Sequence, residues 1–431
     1  MKQYRVKNTI FNGAVLALVI AIMVPRAVPI WAWAASAAPF DFFTVTAADL
    51  AALAVIILGG ATAFKIFRQK HSGDRPVLWL LILLALAILS LVSAAWPLLG
   101  LGYWFKLLLA TGVWFAITYF KPSVKLLIRW GVITAALLEA VLGIVQFALQ
   151  KNVGLAVLGE AVIAPSIPGV AKISLGVERV IRAYGTMPHP NILAVLLAVG
   201  LIFLLGWYLS GLKKHRRLEF LFWAALPVLL LGLAVTFSRV AIIATLAAVI
   251  MVLGRTWFKD HSAVSRRQVY AVAGAVLGAG VALFLAFGPL FNARVADLTN
   301  QGEGQTLRQF YDSAAQKAVG EQPLLGVGLG NFVPWLHGRW PLTLPDWAYQ
   351  PSHNTPLLIT AEVGGLALII LAIFILSIIW PAFRLERRLS SAVRRAGLAA
   401  VGILLLTSLT DHFLWTNDVG RYLWWLVIGV I

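Results

Sequence analysis

Residues 190–210 read PNILAVLLAVGLIFLLGWYLS, a run without a single charged side chain. Such a run is long enough to cross the roughly 30 Å hydrocarbon core of a bilayer as one helix. Working outward, comparable apolar spans fall at about 9–25, 45–64, 76–95, 98–120, 124–149, 218–236, 238–254, 268–288, 354–382, 396–414 and 419–431. The pattern predicts an all-α polytopic membrane protein of about twelve transmembrane helices. Composition agrees: 61% of the 431 residues are hydrophobic and 12% charged, against about 25% charged in soluble domains. Residues 1–288 then hold nine spans, 289–353 form a large loop between spans nine and ten, and 354–431 hold the last three. A second long connection lies at about 150–189.

The formal net charge of +18 does not point to nucleic acid, because no basic, aromatic-laced soluble module exists to bind it. The cations instead gather in short connections, such as Lys65, Arg68, Lys70 and Arg75, then Lys213, Lys214, Arg216 and Arg217, then Arg384, Arg387, Arg388, Arg394 and Arg395. These segments alternate with connections nearly free of such runs. The positive-inside rule makes the basic set cytoplasmic, with both termini inside and both long loops outside. Met1–Lys7 leads into an apolar stretch lacking a small-residue cleavage site, which reads as a signal-anchor first helix. The short last span is tilted, incomplete or cut. There are no cysteines, which excludes disulfides, thiolate metal sites and thiol nucleophiles.

The cations left on the outer side are few and specifically placed. Arg239, in Thr236-Phe237-Ser238-Arg239, stands at the outer end of a span. An arginine beside hydrocarbon is costly. It either snorkels to the headgroups or, with Ser238, binds an anion. Arg308 opens an amphipathic stretch, Thr306–Val319, in the large loop; Arg294 follows span nine; Arg182 precedes Ala183-Tyr184-Gly185. Each alone reads as a surface charge, but together their guanidinium forks suit a pyrophosphate. His353, in Ser352-His353-Asn354, sits where the next span begins. It is either a boundary filler or a base able to take a proton from a sugar hydroxyl near neutral pH. His189, between Pro188 and Pro190, reads mainly as part of a helix start. The run Gly326-Val327-Gly328-Leu329-Gly330 reads as a tight turn rather than a dinucleotide motif. Glu139 and Gln146, seven residues apart on one helix face within a span, must face the bundle interior. Loop aromatics, including Trp335, Trp340 and Trp347, are belt residues or sugar-stacking platforms.

In order and spacing these motifs resemble the superfamily of O-antigen ligases, O-antigen polymerases and bacterial O-oligosaccharyltransferases, over roughly residues 140–370. The likeness is closest to the ligases. It is carried by His353-Asn354 followed nine residues on by Gly364, by Arg182-Ala183-Tyr184-Gly185 running into Pro190-Asn191, by Ser238-Arg239, by Arg308 and by Pro323–Phe332. Ala367 departs from the ligase pattern, which has Gly, Thr or Tyr there. The resemblance implies a GT-C-like fold in the bacterial inner membrane and an inverting glycosyl transfer at the periplasmic face, without metal or other cofactor. It implies a glycan donor on undecaprenyl pyrophosphate and an acceptor hydroxyl on the lipid A core oligosaccharide. His353 would be the general base, with Arg239 and Arg308 holding the pyrophosphate. Arg182, Arg294, Ser238 and Asn354 would complete substrate binding. A polymerase or protein O-glycosylase would use the same donor with another acceptor. A transporter is the reading from a different class, but no matching pair of broken helices marks the two halves. A structural scaffold is a third class, and it would have no use for a histidine and several arginines gathered at one face.

Overall fold

The structure, a computed structural model, describes residues 2–32, 42–70, 74–120, 122–210, 216–259, 263–299, 303–340, 348–389 and 391–431. Trp347, Lys213 and Lys214 lie outside them. The elements in order are α1 (Lys2–Ile22), β1 (Ala27–Ala32), β2 (Phe42–Thr46), α2 (Ala47–Lys70), α3 (Arg75–Leu89), α4 (Pro97–Tyr119), α5 (Pro122–Leu149), β3 (Lys172–Leu175) and β4 (Glu178–Ile181). They continue with α6 (Pro190–Leu209), α7 (Arg216–Val235), α8 (Arg239–Lys259), α9 (Ala263–Thr299), α10 (Glu303–Glu321), α11 (Phe332–Arg339), α12 (Thr355–Val363), α13 (Gly365–Leu389), α14 (Ala392–Ser408), α15 (Phe413–Thr416) and α16 (Asp418–Gly429). Among the described residues eight helices are long and apolar enough to cross a membrane, with shorter apolar helices at Thr9–Ile22 and Glu219–Val235. The protein is an all-α polytopic membrane protein.

The stretch that opens the reading, α6, is the hub. It is almost wholly buried and packs against α5, α7, α8 and α14. Small residues let the backbones close up: a Cβ on Gly200 would lie 2.4 Å from that of Ala136, and one on Gly206 would lie 2.3 Å from that of Ala396. Dispersion contacts at that range take over where lipid removes the hydrophobic drive between helices. Glu139 and Gln146 are buried on α5. Glu139 accepts from Thr186, and Gln146 bonds Gly185 and Glu160. The intramembrane polar pair therefore ties the bundle to the first long connection.

Four sequence boundaries move. Helix α9 runs past 288 to Thr299 with Pro289 inside it, so Arg294 rides on a helix rather than in a loop, although Gly288-Pro289 reads in sequence as a helix end. The connection at 150–189 contains the antiparallel pair β3–β4, and a second pair, β1–β2, follows α1. All four segments lie outside the helices, β1 and β2 being apolar (AVPIWA and FFTVT), and their backbone groups bond across the strands instead. The span expected at 354–382 is two helices, α12 and α13, broken at Gly364 (φ 91°, ψ 161°). The span expected at 396–414 stops as a helix at Ser408, because Asp411 and His412 turn back into polar contacts. The amphipathic stretch Thr306–Val319 is helical, as α10. Positive φ at Gly326, Gly328 and Gly330 makes the glycine run a turn.

Basic side chains collect at one end of the bundle. Arg255, on the last turns of α8, stacks on Phe383 near the end of α13, 5.5 Å from its ring centre, and Arg394 at the start of α14 is an electrostatic neighbour of Arg129 on α5. Arg239 begins α8 and so marks the opposite end.

Candidate active site

Five helix ends meet at the end marked by Arg239. The turn Thr236-Phe237-Ser238 connects α7 to α8 with Phe237 at φ 48°, a conformation that costs a bulky residue roughly 1–3 kcal/mol. It is held by burial of the Phe237 ring against Phe291 and Phe147, with centroids 4.9 and 5.7 Å away. The turn places Ser238, which is buried, and Arg239, half-buried, at the first turn of α8, where the helix dipole favours an anion. Arg239 Nη1 donates to the Arg294 carbonyl at 2.6 Å, joining α8 to α9.

Arg182 follows β4 and is 2% exposed. Its Nε donates to the Thr236 carbonyl at 2.6 Å and its Nη2 to Asn191 Oδ1 at 2.8 Å. It thus fixes the Ser238-Arg239 turn and the start of α6 together. Burial, and then the charges of Arg294, Arg308 and Arg239, push its pKa down to about 9.

These arginines share a cleft. Ser238, Arg239, Arg294 and Arg308 line it with Asn191, Thr410 and Asp411. Its open volume is about 40 Å³, little more than one water's share, so a bound anion has to spread the guanidinium groups.

His353 stands behind this cleft. Ser352 Oγ donates to Asp312 Oδ1 at 2.6 Å, fastening the segment to α10. Asn354 caps α12, its Oδ1 accepting from Leu357 N at 3.0 Å. Between these two anchors the His353 ring lies parallel to Tyr311, 5.8 Å between centroids, and edge-on to His412 at 4.9 Å. His353 Nδ1 is buried and makes no hydrogen bond among the described residues. Burial, and then His412, lower its pKa well below the ordinary imidazole range, with Asp411 opposing and Arg308 adding to the shift. The imidazole is therefore neutral, in the form that accepts a proton.

Asp411 links the cleft and the histidines. Its Oδ2 accepts from Asn191 Nδ2 at 2.8 Å and its Oδ1 from the His412 amide at 2.8 Å, while its carbonyl accepts from Thr355 Oγ1 at 2.6 Å. Burial pushes its carboxyl up, but His412, His353, His189 and Asn191 together hold it well below the usual carboxylate range. His189 is the N-cap of α6, its Nδ1 accepting from Asn191 N at 3.1 Å; burial and then Arg182 bring its pKa down to about 3. No group of three or more His, Asp or Glu among the described residues is arranged to hold a metal ion.

A family model described as O-antigen ligase matches residues 224–372. The matched segment is about a third of the chain and supports a place in the O-antigen ligase superfamily. No curated protein matches it. The O-antigen ligase segment contains Ser238, Arg239, Arg294, Arg308, His353 and Asn354, whereas Arg182, Asn191, Asp411 and His412 join it from outside.

The structure brings Ser238, Arg239, Arg294 and Arg308 to one cleft and puts Arg182 among their electrostatic neighbours. His353 is not in that lining; it reaches the cleft through His412 and Asp411. Asn354 acts as a helix cap in this geometry. Asp411, His412, Asn191 and Tyr311, none of them a candidate site residue from the sequence, line this cleft or flank His353. A signal existed for the first two: Thr410-Asp411-His412 is a polar, ionisable triplet at the outer end of an apolar span, where such residues mark function by default.

Proposed function

We propose that the protein is an O-antigen ligase: an inverting glycosyltransferase that moves a glycan from undecaprenyl pyrophosphate to a hydroxyl of the lipid A core, at the periplasmic face of the inner membrane. The observation behind this reading is the cleft lined by Arg239, Arg294 and Arg308, with the neutral His353 one ring away. His353 takes the proton of the acceptor hydroxyl as its oxygen bonds the anomeric carbon. The bond from that carbon to the pyrophosphate oxygen breaks on the opposite face, inverting the centre. Arg239 and Arg308 hold the pyrophosphate and neutralise the charge that grows on it, the role a metal ion fills elsewhere. Arg294 and Ser238 complete that cradle, Arg182 positions it, and Asn354 sets the direction of the His353 segment. Asp411 stabilises the histidine cluster once a proton has been taken up.

The test uses purified protein in lipid with lipid-linked glycan and core acceptor. His353→Ala, Arg239→Ala and Arg308→Ala are each expected to abolish transfer while the protein stays folded. Full activity in all three removes the site. Chain growth from lipid-linked units without core acceptor would replace the ligase reading with a polymerase.

A further inference from the structure

A second cavity shares no lining residue with the arginine cleft and touches the histidine cluster through Thr416. It encloses about 290 Å³, at the small end of ligand pockets, and so takes one sugar ring rather than an oligosaccharide. Its walls include Tyr103, Lys106, Pro188, Thr416, Asn417 and Asp418. Two of these lead to the site already described. Pro188 precedes His189, and Thr416 Oγ1 lies 2.7 Å from His412 Nδ1, whose ring meets His353 at 4.9 Å.

The charge of this cavity differs from that of the cleft. Lys106 Nζ bonds Asp418 Oδ2 at 2.5 Å and Asp49 Oδ2 at 3.2 Å. Arg421 Nη1 bonds the other Asp418 oxygen. Two cations thus balance two carboxylates, which gives a pyrophosphate no reason to settle here. Asp49 is used up structurally, taking Tyr422 Oη at 2.8 Å and the Thr46 amide at 2.9 Å as well. Other groups are not. An ammonium has three N–H donors, and the two carboxylates occupy two of those on Lys106. Asn417 caps α16 with Oδ1, on Val419 N at 3.0 Å, while its Nδ2 has no hydrogen-bond partner among the described residues. Asp418 accepts from Lys106 on Oδ2 and from Arg421 on Oδ1, and each carboxylate oxygen keeps a further lone pair. Tyr103 adds an aromatic wall, its ring packed on Gly330. Donors, acceptors and a ring face with no net charge are what an uncharged, hydroxyl-rich sugar needs.

We infer that this cavity is the acceptor subsite, holding one uncharged sugar ring of the acceptor glycan beside His353 while the arginine cleft holds the donor's pyrophosphate. The inference rests on the proposed transferase reading for its chemistry, but its binding step stands apart. The residues Asn417 and Tyr103 set acceptor affinity. The Thr416–His412 contact forms the wall through which the ring approaches His353.

Binding of the free core oligosaccharide, without donor, is measured by titration calorimetry on the full chain in nanodiscs. Asn417→Ser keeps an N-cap oxygen and removes the amide donor; Tyr103→Leu keeps bulk on Gly330 and removes the aromatic face. Each is expected to weaken acceptor binding about tenfold or more and to raise the acceptor KM equally, with the donor KM unchanged. Arg308→Ala is expected to leave acceptor binding intact. Acceptor binding that survives both cavity substitutions in folded protein, or that is lost in Arg308→Ala instead, overturns the inference. Wild-type protein that binds the acceptor here yet transfers nothing would count against the transferase reading and leave the subsite standing.

Discussion

Replacing Gly364 with alanine tests how the helix break sets the site. Gly364 sits at φ 91°, ψ 161°, a region open essentially to glycine alone, where another residue is strained by roughly 1–3 kcal/mol. An added Cβ would also stand 1.9 Å from the Leu324 carbonyl oxygen and 2.4 Å from its carbon. Both are backbone atoms, so no rotamer change relieves the clash, and the 323–328 turn has to move. That turn is docked by Gly365 N to Pro323 O at 3.2 Å, Val327 N to Ala361 O at 2.8 Å and Gly328 N to Glu362 O at 2.9 Å. Losing one or two of these adds about 1 kcal/mol each. The expected destabilisation is about 2–5 kcal/mol, with transfer lost in parallel because α12 carries the His353 segment. Gly274, on the lipid-facing α9 with nothing within 4 Å, is the control: Gly274→Ala should be neutral or up to about 1 kcal/mol stabilising. Thermal unfolding in detergent measures both. Equal melting temperatures for Gly364→Ala and wild type would refute the reasoning.

Other outcomes follow from the same geometry. Arg182→Lys can keep one of the two contacts to Thr236 and Asn191 and should cost about 1.5–3 kcal/mol for the other, seen as a lower melting temperature and a raised donor KM. His189 and His353 have folded pKa values below the ordinary imidazole value. Above pH 6.5 both are neutral folded or unfolded; as pH falls below 6.5 the unfolded chain gains protons that the folded one refuses, so stability should decline from there toward pH 3. Chemical-denaturant midpoints across that range check it, and His189→Gln should flatten the decline. For the same reason the acid limb of the transfer rate should lie below pH 6.5 and move when Asp411→Asn removes the neighbouring charge; an acid limb unchanged in that variant would separate Asp411 from His353.

Much of this was legible in the chain. The run 190–210 announces its helix because no charge interrupts it, and Arg239 and His353 stand out because ionisable groups beside apolar spans are costly. Arg182, Arg239, Arg294 and Arg308 could be grouped by type and side of the membrane. Their convergence could not, since it depends on how α6, α8, α9 and α10 pack. The break at Gly364 hid inside an apolar stretch whose hydropathy is blind to φ. Asp411-His412 hid in the same way, counted into a span whose helix in fact stops at Ser408. The continuation of α9 to Thr299 was obscured because Arg294 and Asp297 lower the hydropathy without ending the helix.

The central claim is that the arginine cleft and His353 act on one bound donor. A cryo-electron-microscopy structure with a lipid-linked pyrophosphate glycan tests it most directly. Density for the pyrophosphate between Arg239 and Arg308, with the first sugar turned toward His353, is the expected result. A pyrophosphate seated elsewhere, or a sugar facing away from His353 across the cleft, would contradict the account.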